Sequence, residues 1–122
     1  PYLLSQWFTK QFSSGHIVNL TDCIEHNARY FPYMLSKNAL VALTKMLAKD
    51  LAPKIRVNAI APGWILDPPG DDAKTFPADA VCSTIPAGFK GKEEDICQAL
   101  IYLQENEYIY GQTIYVDGGR HL

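Results

Sequence analysis

A tyrosine stands four residues ahead of a lysine, with a serine just before the lysine, at the start of an otherwise apolar stretch: FPYMLSKNAL, residues 31–40. On a helix, Tyr33 and Lys37 share one face about one turn apart. An unperturbed phenol ionises near pH ~10. A neighbouring ammonium and the positive end of a helix both favour phenolate and pull that value down. Tyrosine then becomes a proton donor useful near neutral pH, and the lysine keeps donors for a sugar hydroxyl. The spacing alone is a weak signal, since an exposed tyrosine beside a solvated lysine produces it too. Upstream, Asp22 closes a short apolar run, HIVNLTD, where it either bonds local backbone N–H groups or joins the tyrosine.

The elements that position these residues follow from periodicity. Residues 2–12 form a helical pattern with Tyr2, Leu3, Trp7 and Phe8 near one face, and Gly15 is expected to stop it. Residues 16–20 form a buried strand, and 21–32 are polar and irregular. From Pro32 the pattern turns helical, with Leu40, Leu43, Leu47 and Leu51 in one stripe and Pro53 at its end. IRVNAIA, 55–61, is a second buried strand that ends in PGW. Residues 66–91 are proline- and glycine-rich and read as a long functional loop. A third helix runs from Lys92 to Gln104, with Glu93, Glu94 and Asp95 in its first turn and Ile96, Leu100 and Leu103 facing inward. GQTIYVDGG, 111–119, is a third strand ending in a glycine turn.

Strands alternating with helices predict an α/β fold with parallel strands and right-handed crossovers. Three strands amount to half of a Rossmann-type doubly wound sheet, in which ligands bind beyond the carboxyl ends of the strands. The whole of 1–122 reads as a single partial domain. It opens inside a helical pattern, as the tail of something longer would, and as a half it is expected to leave a sheet edge exposed.

The 122 residues are 48% hydrophobic and 20% charged, with a net charge of −2. Scattered basic residues argue against nucleic acid or anionic lipid as partners. No apolar run approaches the ~20 residues of a membrane span, and the chain opens on no signal peptide. Cys23, Cys82 and Cys97 are odd in number and unclustered, which points to a reducing, cytoplasmic setting. The spacing Cys23-x-x-His26 has no second pair to close a tetrahedral site, so no metal is expected.

Taken in order, Tyr33-Met-Leu-Ser-Lys37, RVNAIAPG and the terminal VDGG closely resemble the C-terminal half of the short-chain dehydrogenase/reductases over nearly the whole chain. The resemblance implies that Tyr33 is the acid/base and that Lys37 binds the nicotinamide ribose and lowers the tyrosine's pKa. It also implies that the Pro62-Gly63 turn passes along the nicotinamide with Ile65 close behind. The family normally places a serine where this chain has Thr21-Asp22. An aspartate there is similar to the pteridine reductase branch. PYLL, LTD, LAPKIRVNAIAP, DDAK and DGGRHL are similar to the bacterial dihydromonapterin reductases within it.

The branch implies NADPH-dependent reduction of a dihydropterin, dihydromonapterin or dihydrofolate, at its C6=N5 imine, with Asp22, Tyr33 and Lys37 arranging the proton. A pterin ring presents N–H donors, which a carboxylate can accept. A carbonyl-reducing member of the family, or a truncated non-catalytic assembly subunit, is the alternative. Asp22 lies eleven positions before Tyr33, a shorter gap than is usual in the family, so Thr21 is a second source of the substrate-facing group. Trp64 is either a loop anchor or a lid on a flat heterocycle in the substrate site.

Asp71 and Asp72 read as solvated, and Tyr108, Tyr110 and Tyr115 as packing residues. His26 and His121 read as surface residues, His121 lying near enough to the C-terminus to reach a neighbouring subunit. The family's phosphate-binding glycine turn has no counterpart here, and its helix asparagine would fall just before Pro1. The half alone is therefore expected to bind dinucleotide poorly. Family members pack the first helix and the Tyr–Lys helix against a second subunit, which implies a homodimer or tetramer.

Overall fold

The computed structural model describes residues 1–24, 30–67 and 77–122. Helix α1 (Tyr2–Gln11) leads into strand β1 (Gly15–Leu20), helix α2 (Phe31–Leu51) and strand β2 (Ile55–Pro62). A short helix α3 (Ala78–Cys82), helix α4 (Glu93–Glu105) and strand β3 (Thr113–Val116) complete the order. The three strands are parallel, in the order β1-β2-β3. This is the expected α/β arrangement, a Rossmann-like parallel sheet with flanking helices.

β2 is central because its residues are apolar and small. Val57, Ala59, Ile60 and Ala61 are all but fully buried. Leu47 and Ala48 of α2 pack on Ile55 and Val57, with Phe8, Ile17, Leu43 and Leu51 around them. The crossover between parallel strands thus buries the α2 stripe against the sheet. Asn58, fully buried in the middle of β2, donates to the Ile109 carbonyl at 2.9 Å and accepts from the Gln112 N–H at 3.0 Å, fastening β3 alongside. Arg56 ends α4 by donating to the carbonyls of Leu103, Gln104 and Asn106 at 2.6–3.1 Å, where orphan carbonyls favour a cation.

Several expectations change. Gly15 does not stop α1, which ends in extended backbone at Phe12. Gly15 opens β1, and a Cβ there would lie 2.7 Å from the Phe8 ring, so close packing is what the position requires. The α1 face that carries Tyr2, Leu3 and Trp7 is exposed. Leu100 is exposed as well, leaving Leu103 as the fully buried residue of α4. The Lys92 N–H donates to Asp95 Oδ2 at 2.8 Å, so one of the three acids closes the helix start directly. The loop region contains α3, too short to show a period. The third strand is shorter than 111–119, and its DGG is a turn with positive φ at Gly118 and Gly119. Among the described residues, no helix is long and apolar enough to cross a membrane.

Candidate active site

The last residues of β1 aim a carboxylate at the Tyr–Lys helix. Thr21 continues the β1–β2 pairing, with its N–H on the Ile60 carbonyl at 2.9 Å and its hydroxyl on the same oxygen at 3.1 Å. Its side chain is buried and already used, which removes it as the alternative donor to a substrate. Asp22 then turns the other way. Its Oδ1 accepts from the Ile24 N–H at 2.8 Å, and its Oδ2 accepts from the Tyr33 hydroxyl at 2.7 Å. The short gap therefore does not misdirect Asp22.

Pro32 sits in the first turn of α2, where a missing N–H costs nothing, and Tyr33 and Lys37 follow on one face. Lys37 Nζ donates to the Leu20 carbonyl at 2.9 Å and lies 5.5 Å from the centre of the Tyr33 ring. Tyr33 is 47% exposed, so the hydroxyl that meets Asp22 stands at an open edge.

The electrostatics reverse one expectation. Burial of the phenol, its hydrogen bond to Asp22 and the charge of that carboxylate push the Tyr33 pKa up to about 12. Lys37 and the helix start do not pull it down in this state. Ionising Tyr33 would lose the bond it donates and set two anions face to face, while the ammonium is held at Leu20. Tyr33 is thus a fully protonated donor at neutral pH. Next to it, Cys23 is buried, and burial together with Asp22 raises its thiol pKa to about 11, so it stays an unreactive thiol.

Pro62 ends β2, and Gly63 extends the pairing by donating its N–H to the Val116 carbonyl at 2.9 Å. A Cβ on Gly63 would stand 2.6 Å from the Asp117 Cα. The glycine is therefore required by the chain's own packing, before any ligand is considered. Trp64 donates Nε1–H to Asp67 at 3.0 Å and carries the Arg120 guanidinium 5.8 Å from its ring centre. Asp67 also pairs with Lys90 at 2.8 Å. Trp64 and Ile65 line a cavity of about 620 Å³ together with Phe89, Tyr115, Asp117 and His121. Asp22, Tyr33 and Lys37 do not line it. The structure brings those three together and places Trp64 and Ile65 on a different wall. His26, the second member of the spacing Cys23-x-x-His26, and the pair Asp71 and Asp72 lie outside the described residues.

That cavity holds a cluster the sequence reading missed. Asp117 is buried at the end of β3 and accepts from the Gly119 N–H at 3.0 Å and from the His121 N–H and Nδ1, each at 2.8 Å. Burial alone would raise its pKa. The bonds from His121 and the two backbone N–H groups outweigh that and hold it below the usual carboxylate value. His121 is exposed, as expected, and its ring stacks on Tyr115 with centres 3.9 Å apart. The VDGG motif carried the signal, as an aspartate before a glycine pair, but nothing in it named His121.

A nicotinamide ribose fits the lysine. The ammonium has three N–H donors and gives one to Leu20, and the bond lies at an exposed position, as does the Tyr33 hydroxyl.

A family profile described as enoyl-(acyl carrier protein) reductase matches residues 3–121. The chain is 36% identical to the 3-oxoacyl-[acyl-carrier-protein] reductase FabG of Thermotoga maritima, over 98% of its own length and 48% of the relative's. It is 37% identical to carbonyl reductase family member 4 of Xenopus laevis, over 92% of its length and 48% of the relative's. The structure of FolM alternative dihydrofolate reductase 1 from Brucella suis, in complex with NADP, superposes with a TM-score of 0.89 at 36% identity, over 99% of this chain and 50% of that one. The chain spans about half the length of the curated relatives it matches. With a family profile covering nearly its whole length and the Tyr–Lys pair on the expected helix face, the chain belongs to the short-chain dehydrogenase/reductase family.

Proposed function

We propose that this chain is the acid–base half of an NADPH-dependent reductase that converts a dihydropterin to its tetrahydro form. The dinucleotide phosphates would be held by an N-terminal half, in keeping with its span of about half its relatives. The observation that carries the reading is the Asp22 carboxylate on the Tyr33 hydroxyl at 2.7 Å. A ketone offers only an acceptor oxygen to such a site and gives a carboxylate nothing to bind. A pterin ring offers N–H donors, which Asp22 can accept. The likeness to an alternative dihydrofolate reductase supports the same choice.

When bound, NADPH supplies a hydride to the substrate's C6=N5 bond. The residues of this chain manage the matching proton. A ring N–H that bonds to Asp22 Oδ2 replaces Tyr33 as the donor there and frees the phenol O–H to face N5. The same exchange removes the hydrogen bond that raises the Tyr33 pKa. The Lys37 ammonium, 5.5 Å from the ring centre, limits the cost of the phenolate that forms, and solvent returns its proton. Lys37 also offers its spare donors to the ribose. We place the protein as a homodimer or tetramer, because α1 leaves Tyr2, Leu3, Leu4 and Trp7 exposed together.

The second reading is a carbonyl reductase, favoured by the names of the FabG and carbonyl reductase relatives. NADPH oxidation by the natural gene product that carries these residues decides between them. Turnover with dihydromonapterin or dihydrofolate, and little with 3-oxoacyl esters or simple ketones, is expected. Turnover with ketones alone would sink the pterin reading.

A further inference from the structure

A buried polar pair lies beneath the site and takes no part in its chemistry. Asn19 of β1 donates Nδ2–H to Thr44 Oγ1 of α2 at 2.9 Å, and Thr44 Oγ1 donates to the Leu40 carbonyl at 2.8 Å. Thr44 is 0% exposed and Asn19 nearly as buried. A valine would fill Thr44's place in this apolar face with no hydrogen-bond demand. Two buried polar groups are instead matched to each other, which is stabilising only when they are aligned.

We propose that Asn19 and Thr44 are a positioning pair that sets the register of α2 on β1, and through it the Tyr33–Asp22 contact. The proposal rests on the acid–base reading above. Three contacts tie the end of β1 and the residues just after it to α2: Asn19 to Thr44, the Leu20 carbonyl to Lys37, and Asp22 to Tyr33. As the strand number rises, the helix number falls, so the helix runs back along the strand and the contacts form a ladder. Lys37 and Thr44 are seven positions apart, two turns on one face. Between the rungs, Thr21 is fastened to Ile60 on the opposite side.

The two upper rungs stand at an exposed edge, and only the lowest is dry. The apolar contacts of Leu47 and Ala48 with Ile55 and Val57 are non-directional and tolerate a small slide, whereas a hydrogen bond does not. A displacement of about 1 Å at the reacting group is enough to cost on the order of 100-fold in rate.

Three variants of the natural gene product test the proposal: Thr44→Val, Thr44→Ser and the double Asn19→Leu/Thr44→Val. Each is read by kcat and KM for NADPH, by thermal midpoint, and by NMR titration of ¹³Cζ-labelled tyrosine with the Tyr33 signal assigned through Tyr33→Phe. Thr44→Val should lower kcat about tenfold, leave KM for NADPH within about twofold, and start the Tyr33 titration at lower pH. Thr44→Ser keeps the hydroxyl and should keep all three properties. The double variant leaves no unpaired group and should recover thermal stability without recovering kcat or the Tyr33 titration. Full recovery in the double variant, or an unmoved Tyr33 titration in Thr44→Val, would overturn the proposal. A wild type that reduces neither pterin nor ketone would defeat the functional reading alone, because the titration still reports the register.

Discussion

Two aspartates end two parallel strands of one sheet, and they do different things. Asp22 follows β1, and Asp117 follows β3. Each accepts backbone N–H bonds from residues just beyond it, as strand-end aspartates commonly do. Asp117 is buried and turns both carboxylate oxygens to partners within four positions, Gly119 and His121. Asp22 spends one oxygen on Ile24 and turns the other to a tyrosine eleven positions away, at an open edge. A carboxylate satisfied by its own turn holds a backbone in shape. A carboxylate that shares a proton with a distant exposed hydroxyl can do chemistry.

That contrast breaks if the two aspartates respond alike to substitution. Asp22→Asn should lower kcat for the dihydropterin on the order of 100-fold with little change in thermal midpoint, measured by NADPH oxidation and thermal melting. The next largest effect belongs to the other corner. Gly63→Ala pushes a methyl against the Asp117 backbone at 2.6 Å and should cost about 2–3 kcal/mol in denaturant unfolding. Asp117→Asn turns an amide toward the donors of His121 and should cost about 1–2 kcal/mol by the same measurement.

The smallest effect is in acid. The folded-state pKa of Asp117 is depressed, so its contribution is present above the ordinary carboxylate pKa and disappears as pH falls through the folded value. Stability measured from pH ~5 down to ~2 should therefore fall less steeply in Asp117→Asn than in the wild type. Equal slopes would remove Asp117 from the account.

Much of the fold could be read from the chain because the signals were local. Short apolar runs marked β1 and β2 and period-3.6 apolar patterns marked α2 and α4, each to within a residue or two, and Pro32 and Pro53 marked the limits of α2. Tyr33 and Lys37 were legible for the same reason, since four residues on a helix always share a face. What escaped depended on register between elements. Whether Asp22 reached Tyr33 across a short gap, why Gly63 is a glycine, and that Asn19 meets Thr44 each required knowing which residues the sheet sets opposite one another. The Tyr33 pKa was misjudged for a related reason: a lysine one turn away looked dominant until the carboxylate proved closer and the ammonium bound elsewhere. Helix α3 has five residues, too few to carry a period.

The most direct test is the titration of Tyr33 itself, by ¹³Cζ NMR in wild type and in Asp22→Asn. If Asp22 holds the Tyr33 proton, the wild-type phenol ionises at about 12 and the variant falls toward the ordinary tyrosine value near ~10. A Tyr33 that titrates identically in both proteins would contradict the claim that the aspartate after β1 governs the proton of the Tyr–Lys helix.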